Sequence, residues 1–211
     1  MTAPTTQPAA LPDSRSAAVP HVEQPPVDFL VPGLPFSGPE LRGMELSGLL
    51  VHVVGDLYLP ANHGLEDTRV RAASVLRLTA PVITGSWAST GLTAAWIHAG
   101  GGSPGVLEAS VEHFQRIPSQ PLSVRLHWEQ SDVARDSADV VNVFGLRCTT
   151  VDRTIEDVLR RAGPRSGPPA MAAAARLLTR TDSARLRRRF EDHRRKPGMV
   201  QARRRLETLL A

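Results

Sequence analysis

The sequence contains little of several residue types on which common protein functions depend. It has one cysteine, Cys148, which excludes an internal disulfide and a cysteine-based zinc site. Aromatic residues make up 4% of the chain, so Leu, Val and Ala must fill the core. No apolar run reaches the roughly 18 residues of a transmembrane helix, and the N-terminus lacks the basic and apolar blocks of a signal peptide. We therefore expect a cytoplasmic protein with no membrane partner.

Several patterns of enzymes and cofactor sites are also missing. No H-x-x-x-H or H-E-x-x-H spacing offers a metal site. The glycine-rich segment AGGGSPG, residues 99–105, is not followed by the lysine and hydroxyl that a P-loop requires, so it is expected to be a flexible connector. Cys148 lies in an apolar strand-like run, with Arg147 adjacent, and is expected to be a buried, inert thiol. We predict that the protein is not an enzyme and uses no cofactor and no metal.

Proline is concentrated at the N-terminus, where nine of the eighteen prolines fall within the first 39 residues. Because proline removes an amide donor and restrains its neighbour, residues 1–35 are predicted to form a disordered tail. The segment VDFLVPGLPF within it is more apolar and could pack on the domain surface. Order is expected to begin near Phe36.

Helical and strand-like patterns follow one another from that point. Ser37 or Gly38 with Pro39 indicates a helix start, and the runs VHVV and LYL around Gly55-Asp56 indicate a hairpin. The middle of the chain mixes helices with strand-like runs, and its last third is helical. The sequence therefore predicts an α+β protein with a truncated winged-helix-like element over residues 36–64. An α+β domain with basic C-terminal helices is predicted over 65–211.

Positive charge is concentrated in the last third of the chain. Residues 1–149 carry nine Arg and fourteen acids, a balance of −5, whereas residues 150–211 carry fifteen Arg, one Lys and seven acids, a balance of +9. The stretch ARLRRRFEDHRRKPGMVQARRRL, residues 184–206, holds nine of these arginines. Guanidinium groups bind phosphate by paired hydrogen bonds, so the asymmetry favours a polyanionic partner.

The pattern of this stretch is that of two packed amphipathic helices. Leu186 and Phe190 are spaced to face inward, which leaves Arg185, Arg188 and Arg189 directed outward. Two interpretations remain open: the arginines contact DNA or an acidic protein, or they form a solvated face paired with nearby acids. Arg153 lies in the first turn of another predicted helix, where cations are unfavourable, and therefore predicts a structural salt bridge.

The order of these pieces resembles the AbiEi-type antitoxin family common in actinobacteria. Three stretches carry the resemblance: FSGPELRGMELSGLLVHVVGDLYLPA, RVRAASVLRLTAPVITGSWASTGLTAAWIHAGG and GLRCTTVDRTIEDVLRRAG. The first is similar to the end of the family's winged helix. The second is similar to the helix, short strand and helix that open its C-terminal domain. The third, similar to a strand-to-helix junction, is the most specific.

The resemblance implies a regulator from a type IV toxin–antitoxin pair that represses its own promoter and neutralises a nucleotidyltransferase-type toxin. Its partners would be double-stranded DNA and that toxin. A protein-interaction module that has lost specific DNA binding is the alternative, because the winged helix is shortened. The winged-helix outline and the basic helices predict the following DNA-binding residues: Arg42, His52, Arg185, Arg188, Arg189, Arg203 and Arg204.

Overall fold

The computed structural model of the 211-residue chain describes residues 27–116, 122–135, 138–163 and 166–211. These residues form seven α-helices, a two-stranded hairpin and a five-stranded sheet, which confirms the predicted α+β class. In this described part, no helix is both long and apolar enough to cross a membrane. Residues 1–26, most of the predicted tail, lie outside the described residues.

The elements follow the chain in an order that places strands centrally and most helices at the end. The helices are α1 (Gly38–Leu46), α2 (Thr68–Thr79), α3 (Gly91–Ala99), α4 (Val151–Arg161), α5 (Gly167–Leu178), α6 (Ser183–Asp192) and α7 (Met199–Leu210). The strands are β1 (Leu50–Val54), β2 (Leu57–Pro60), β3 (Trp87–Ser89), β4 (Val106–Val111), β5 (Arg125–Gln130), β6 (Val140–Val143) and β7 (Leu146–Thr149).

The start of α1 is fixed by local sequence chemistry. Ser37 caps the helix, and a capping box joins its side chain and backbone to Glu40, as the Ser-Gly-Pro start predicts.

The segment before α1 differs from the prediction of a disordered tail, because residues 27–35 are attached to the domain. Leu30 exchanges two backbone hydrogen bonds of 2.9 Å with Tyr58 on β2. Val27 and Phe29 pack against the core, as expected for the apolar VDFLVPGLPF segment.

The five strands of the larger sheet have the order β5-β4-β3-β7-β6. The short central strand β3 runs antiparallel to β4 and parallel to β7, while β5 lies parallel to β4 at one edge. At the other edge, β6 and β7 form a hairpin. Its two turn residues, Phe144 and Gly145, both have positive φ, as a tight primed turn requires.

Two hydrophobic cores share helix α3. The first lies around the larger sheet and includes Val53, Leu57 and Leu59 of the β1–β2 hairpin, so the predicted boundary near residue 64 does not divide two cores. The second is built from α4 to α7. Ile97 of α3 belongs to the first core and Ala95 to the second. In α6, Leu186 and Phe190 are buried in the second core, which confirms their predicted inward direction.

Helix α3 begins with a cap supplied from another element. Thr90 makes no capping side-chain bond; instead the carboxylate of Glu108 on β4 accepts a 2.5 Å hydrogen bond from the amide of Leu92. Gly91 has a φ of 56°, and a Cβ at this position would lie 2.1 Å from a Glu108 carboxylate oxygen. Burial raises the pKa of Glu108, although the Leu92 amide opposes this shift. The close approach of Glu108 to the backbone therefore requires glycine at position 91.

Candidate nucleic-acid interface

Helix α4 carries buried acidic residues that form ion pairs with several arginines of the C-terminal third. We call this the α4 ion network. Its acids are Asp139, Asp152, Glu156 and Asp157, and its bases are Arg153, Arg160, Arg185, Arg189, His193 and Lys196. All four acids are buried. An isolated buried carboxylate is strongly unfavourable, so these acids require cationic partners.

Glu156 is the most enclosed acid of the network. One carboxylate oxygen accepts hydrogen bonds of 2.7 Å from Nε of Arg189 and from Nδ1 of His193. The other oxygen lies 3.5 Å from Arg160 and 3.6 Å from Lys196. Burial would raise the pKa of Glu156, but His193 and Arg189 outweigh it and the pKa is lowered. Glu156 therefore joins α4 to α6 and to the segment after α6 as a carboxylate.

Asp139, just before β6, connects the edge of the sheet to the helices. Both its oxygens accept hydrogen bonds from Arg189, at 2.7 and 2.8 Å, and one also accepts a 2.9 Å bond from Arg153. Burial opposes ionisation of Asp139, yet these bonds lower its pKa from the ordinary 3.8 to about 2. Asp139 thus binds one arginine from α4 and one from α6.

The salt bridge predicted for Arg153 is confirmed. Besides Asp139, its guanidinium donates a 3.0 Å hydrogen bond to Asp157, one turn along α4. Burial raises the pKa of Asp157 by more than Arg153 lowers it, whereas the pKa of Arg153 itself is raised by its acidic partners. The side chain of Arg153 therefore has a structural role here.

The predicted outward direction of Arg189 is wrong. Its side chain is only 19% exposed, and its three guanidinium nitrogens donate to Asp139 and Glu156. Arg189 follows Leu186 by three residues, so it lies on the buried face of the helix, at its border. Helical periodicity places Arg189 at this border but does not indicate that Asp139 and Glu156 lie opposite it. The charge of this arginine is therefore offset by two buried acids, and Arg189 has a structural role.

Three other predicted DNA-binding arginines are exposed but ion-paired. Arg42 contacts Glu45, Arg185 contacts Asp152, and Arg203 contacts Glu191, at 2.5, 2.7 and 2.9 Å. The Arg42–Glu45 and Arg203–Glu191 pairs contribute little stability and can be exchanged for another anion at low cost, whereas Arg185 compensates the buried Asp152. These arginines can therefore reach a polyanion, but their charge is already offset.

Arg188 and Arg204 differ from the other predicted contacts. Both are exposed, and neither has an acidic partner among the described residues. Arg188 lines a groove of about 320 Å³ between α6 and α7, which we call the α6–α7 groove. Its other lining residues are Arg187, Phe190, Glu191, Arg203, Leu206 and Glu207. The structure thus places uncompensated positive charge at the edge of a concave surface.

The last predicted contact, His52 on β1, is partly buried in the hairpin. Its Nε2 donates a 2.8 Å hydrogen bond to the carbonyl of Gly55, and its ring centroid lies 5.2 Å from that of Tyr58. A carbonyl can only accept, so Nε2 carries a proton, and this nitrogen is occupied within the hairpin.

Sequence reasoning missed two features of this region. Arg205 donates hydrogen bonds of 2.6 and 2.7 Å to the carbonyls of Leu159 and Ala162, where α4 ends. It therefore caps that helix.

Residues 101–105 also match the G-x-S-x-G pattern of a hydrolase nucleophile elbow. That elbow joins a strand to a helix, whereas this loop joins α3 to β4, so Ser103 lacks the required setting.

The low pKa of Asp139 gives an acid-dependence that can be measured. Asp139→Asn is expected to lower the free energy of unfolding by about 1–3 kcal/mol near pH 6, because Arg153 and Arg189 lose a buried anion. A carboxyl with a depressed folded-state pKa stabilises above its unfolded pKa and loses this effect as pH falls. The difference between wild type and variant should therefore shrink from about pH 4 and vanish towards pH 2. Urea denaturation across this range checks it; a pH-independent difference would contradict the assignment.

Comparisons with known proteins give a structural similarity but no match in sequence. No protein-family model and no curated protein sequence matches this chain. The chain is similar to the crystal structure of the RV2827C protein from Mycobacterium tuberculosis, with 18% identity, a TM-score of 0.41 and 81% of this chain covered. It spans 63% of the length of that protein. A similarity at this level identifies neither family nor function.

Proposed function

We propose that the protein is a DNA-binding regulator of the antitoxin type, which holds the promoter of its own gene and neutralises a nucleotidyltransferase-type toxin. The resemblance to AbiEi-type antitoxins supplies the biological role. The physical support is the uncompensated charge of Arg188 and Arg204 on two neighbouring helices. Cations near a duplex displace condensed counterions, and this raises affinity without requiring base contacts.

The α4 ion network restricts which arginines can serve this function. Arg189 and Arg205 form bonds that pack α6 and α7 into the protein. The positive charge exposed to a partner is therefore smaller than the +9 balance of residues 150–211. The exposed pair of Arg203 with Glu191 can contribute when phosphate replaces the acid, whereas Arg185 remains paired with the buried Asp152. Arg188 and Arg204 need no such exchange, and we propose them as the principal phosphate contacts on α6 and α7.

Fluorescence anisotropy on the duplex upstream of the gene, over a salt series, tests this proposal. Arg188→Ala with Arg204→Ala is expected to weaken binding about 10- to 100-fold at low salt. The slope of log affinity against log salt should fall by roughly 2, about 0.9 for each lost phosphate contact. A scrambled duplex reports how much of the binding depends on sequence.

The matched control removes the same charge from paired arginines. Arg135 and Arg194 are exposed, lie outside the lining of the α6–α7 groove, and contact Glu112 and Glu191. Arg135→Ala with Arg194→Ala should weaken binding less and leave the slope nearly unchanged. No binding by wild type near physiological salt would overturn the proposal of DNA regulation.

An exposed apolar surface favours the alternative function as a protein-interaction module. Leu46 at the end of α1 and Leu49 before β1 are 77% and 64% exposed, on either side of the turn at Ser47–Gly48. Apolar side chains exposed in this way are typical of protein contacts when they are grouped. Salt-independent binding of a toxin protein, lost on Leu46→Ser with Leu49→Ser, combined with no affinity for DNA, would support this function instead.

A further inference from the structure

Arg176 and Arg180 form a second site of uncompensated charge, outside the arginines singled out from the sequence. Arg176 is in the last turn of α5, and Arg180 follows the helix by two residues. Both are exposed, and within the described part of the chain neither contacts an acid. Being four residues apart, they lie on the same side of α5 and its continuation.

Arg176 lies directly against a bare stretch of backbone. Gly101, just after α3, has a φ of 93°, and a Cβ built there would be 2.6 Å from the guanidinium carbon of Arg176. Any other residue would push this guanidinium away from the loop. Gly101 and Gly102 are exposed, and neither amide donates a hydrogen bond to any described residue. Free amides and a guanidinium therefore lie beside each other, as in sites that bind phosphate.

Arg180 follows Arg176 by four residues, and its charge acts on His98 in the last turn of α3. Burial lowers the pKa of His98, and the positive charges of Arg180 and Arg71 lower it further, although a hydrogen bond with Thr149 opposes them. The carboxylate of Glu66 lies on the same side of Gly100 as the guanidinium of the buried Arg71, and the charges of Glu66 and Asp67 both act on Arg71. Of the acids around the residues that follow Arg180, Asp152 accepts a hydrogen bond from Thr181 and Asp182 caps α6, but neither forms an ion pair with Arg180.

At its other end, residues 103–105, the loop lies beside the winged-helix-like β1–β2 hairpin. A groove of about 470 Å³ lies between the hairpin and the loop. Its walls include His52 and Gly55 of the hairpin, Ser103 of the loop and Arg125 of β5. Arg125 is also exposed and has no acidic partner among the described residues. The loop therefore has Arg176 at its start and the hairpin groove with Arg125 at its end.

We propose that this surface, formed by residues 101–103 with Arg125, Arg176 and Arg180 and called the loop face, binds the phosphate backbone of the duplex. The proposal rests on the proposed DNA-binding function and names a further site for it. A duplex on the loop face would also contact the hairpin, which is the part of the fold that resembles a winged helix. The arginines of α6 and α7 would then contribute a second, separate set of contacts.

The test is the same anisotropy titration with Arg176→Ala and Arg180→Ala combined. Affinity at low salt is expected to fall about 10- to 100-fold, and the salt slope by roughly 2. The charge-matched control is Arg135→Ala with Arg194→Ala, two exposed arginines paired with Glu112 and Glu191, which should change the slope little. Arg176→Lys with Arg180→Lys keeps the charge and should keep most of the slope, which separates charge from loop geometry.

The outcomes distinguish the two proposals. If wild type binds and only the Arg188 and Arg204 variant is weakened, DNA binding stands and the loop face is overturned. If both double variants are weakened, the loop face is supported. If wild type does not bind the duplex, both proposals fail. A second measurement guards against an altered loop: Ser103→Cys carrying a photoactivatable aryl azide should crosslink to the duplex, and absence of crosslinking would count against the site.

Discussion

Replacing Glu156 by glutamine is expected to lower the free energy of unfolding by about 3–5 kcal/mol. The change removes a buried negative charge while Arg189, His193, Arg160 and Lys196 keep their positions around it. Leaving partly buried bases without their fully buried carboxylate costs more than the lost attraction of an exposed pair. Urea denaturation followed by circular dichroism measures the loss, and the loss is large against the 5–15 kcal/mol that stabilises a typical domain.

The matched control is Glu207→Gln. Glu207 also pairs with an arginine, Arg187, but its side chain is 60% exposed, so the expected loss is below about 1 kcal/mol. Equal losses for the two variants would show that the enclosure of Glu156 has no energetic importance.

Replacing Gly91 by alanine is expected to destabilise the protein by about 2–4 kcal/mol. The new Cβ would meet the carboxylate of Glu108 in a backbone conformation with positive φ. Glu108 would have to leave the Leu92 amide, so α3 would lose its cap and a partly buried carboxylate its partner. Thermal and urea unfolding both measure this loss.

Gly102→Ala is the control for this substitution. A Cβ at Gly102 would meet nothing within 4 Å, and φ there is not in the left-handed region. Its effect should stay within about 0.5 kcal/mol, as for most surface changes. A Gly91→Ala variant as stable as this control would show that Glu108 can move aside without cost.

The sequence predicted those parts of the fold that depend on near neighbours. Ser37 and Pro39 indicated the start of α1, and the apolar faces of α6 and α7 followed from helical spacing. Arg153 could be recognised as paired because its position at a helix start is unfavourable for a cation. Each of these signals is contained within a few residues.

The parts that were missed depend on contacts between distant residues. Arg189 and Asp139 are 50 residues apart, and Arg205 reaches a helix that ends more than 40 residues earlier. Helical periodicity shows which face a side chain occupies but not which acid or carbonyl lies opposite. Likewise, Arg176 and Arg180 become a site only because the chain folds a glycine-rich loop against them, which no local spacing indicates.

Because α3 contributes to both cores, it limits how this chain can be divided into fragments. Ala95 belongs to the helical core although it precedes α4 by more than fifty residues, and Asp139 anchors α6 from the edge of the sheet. A fragment beginning at residue 150 would keep all the basic helices but lose one wall of their core and one of their anions. The arginine-rich end is therefore not a transferable module, and it is suited to study only together with the sheet on which it is assembled.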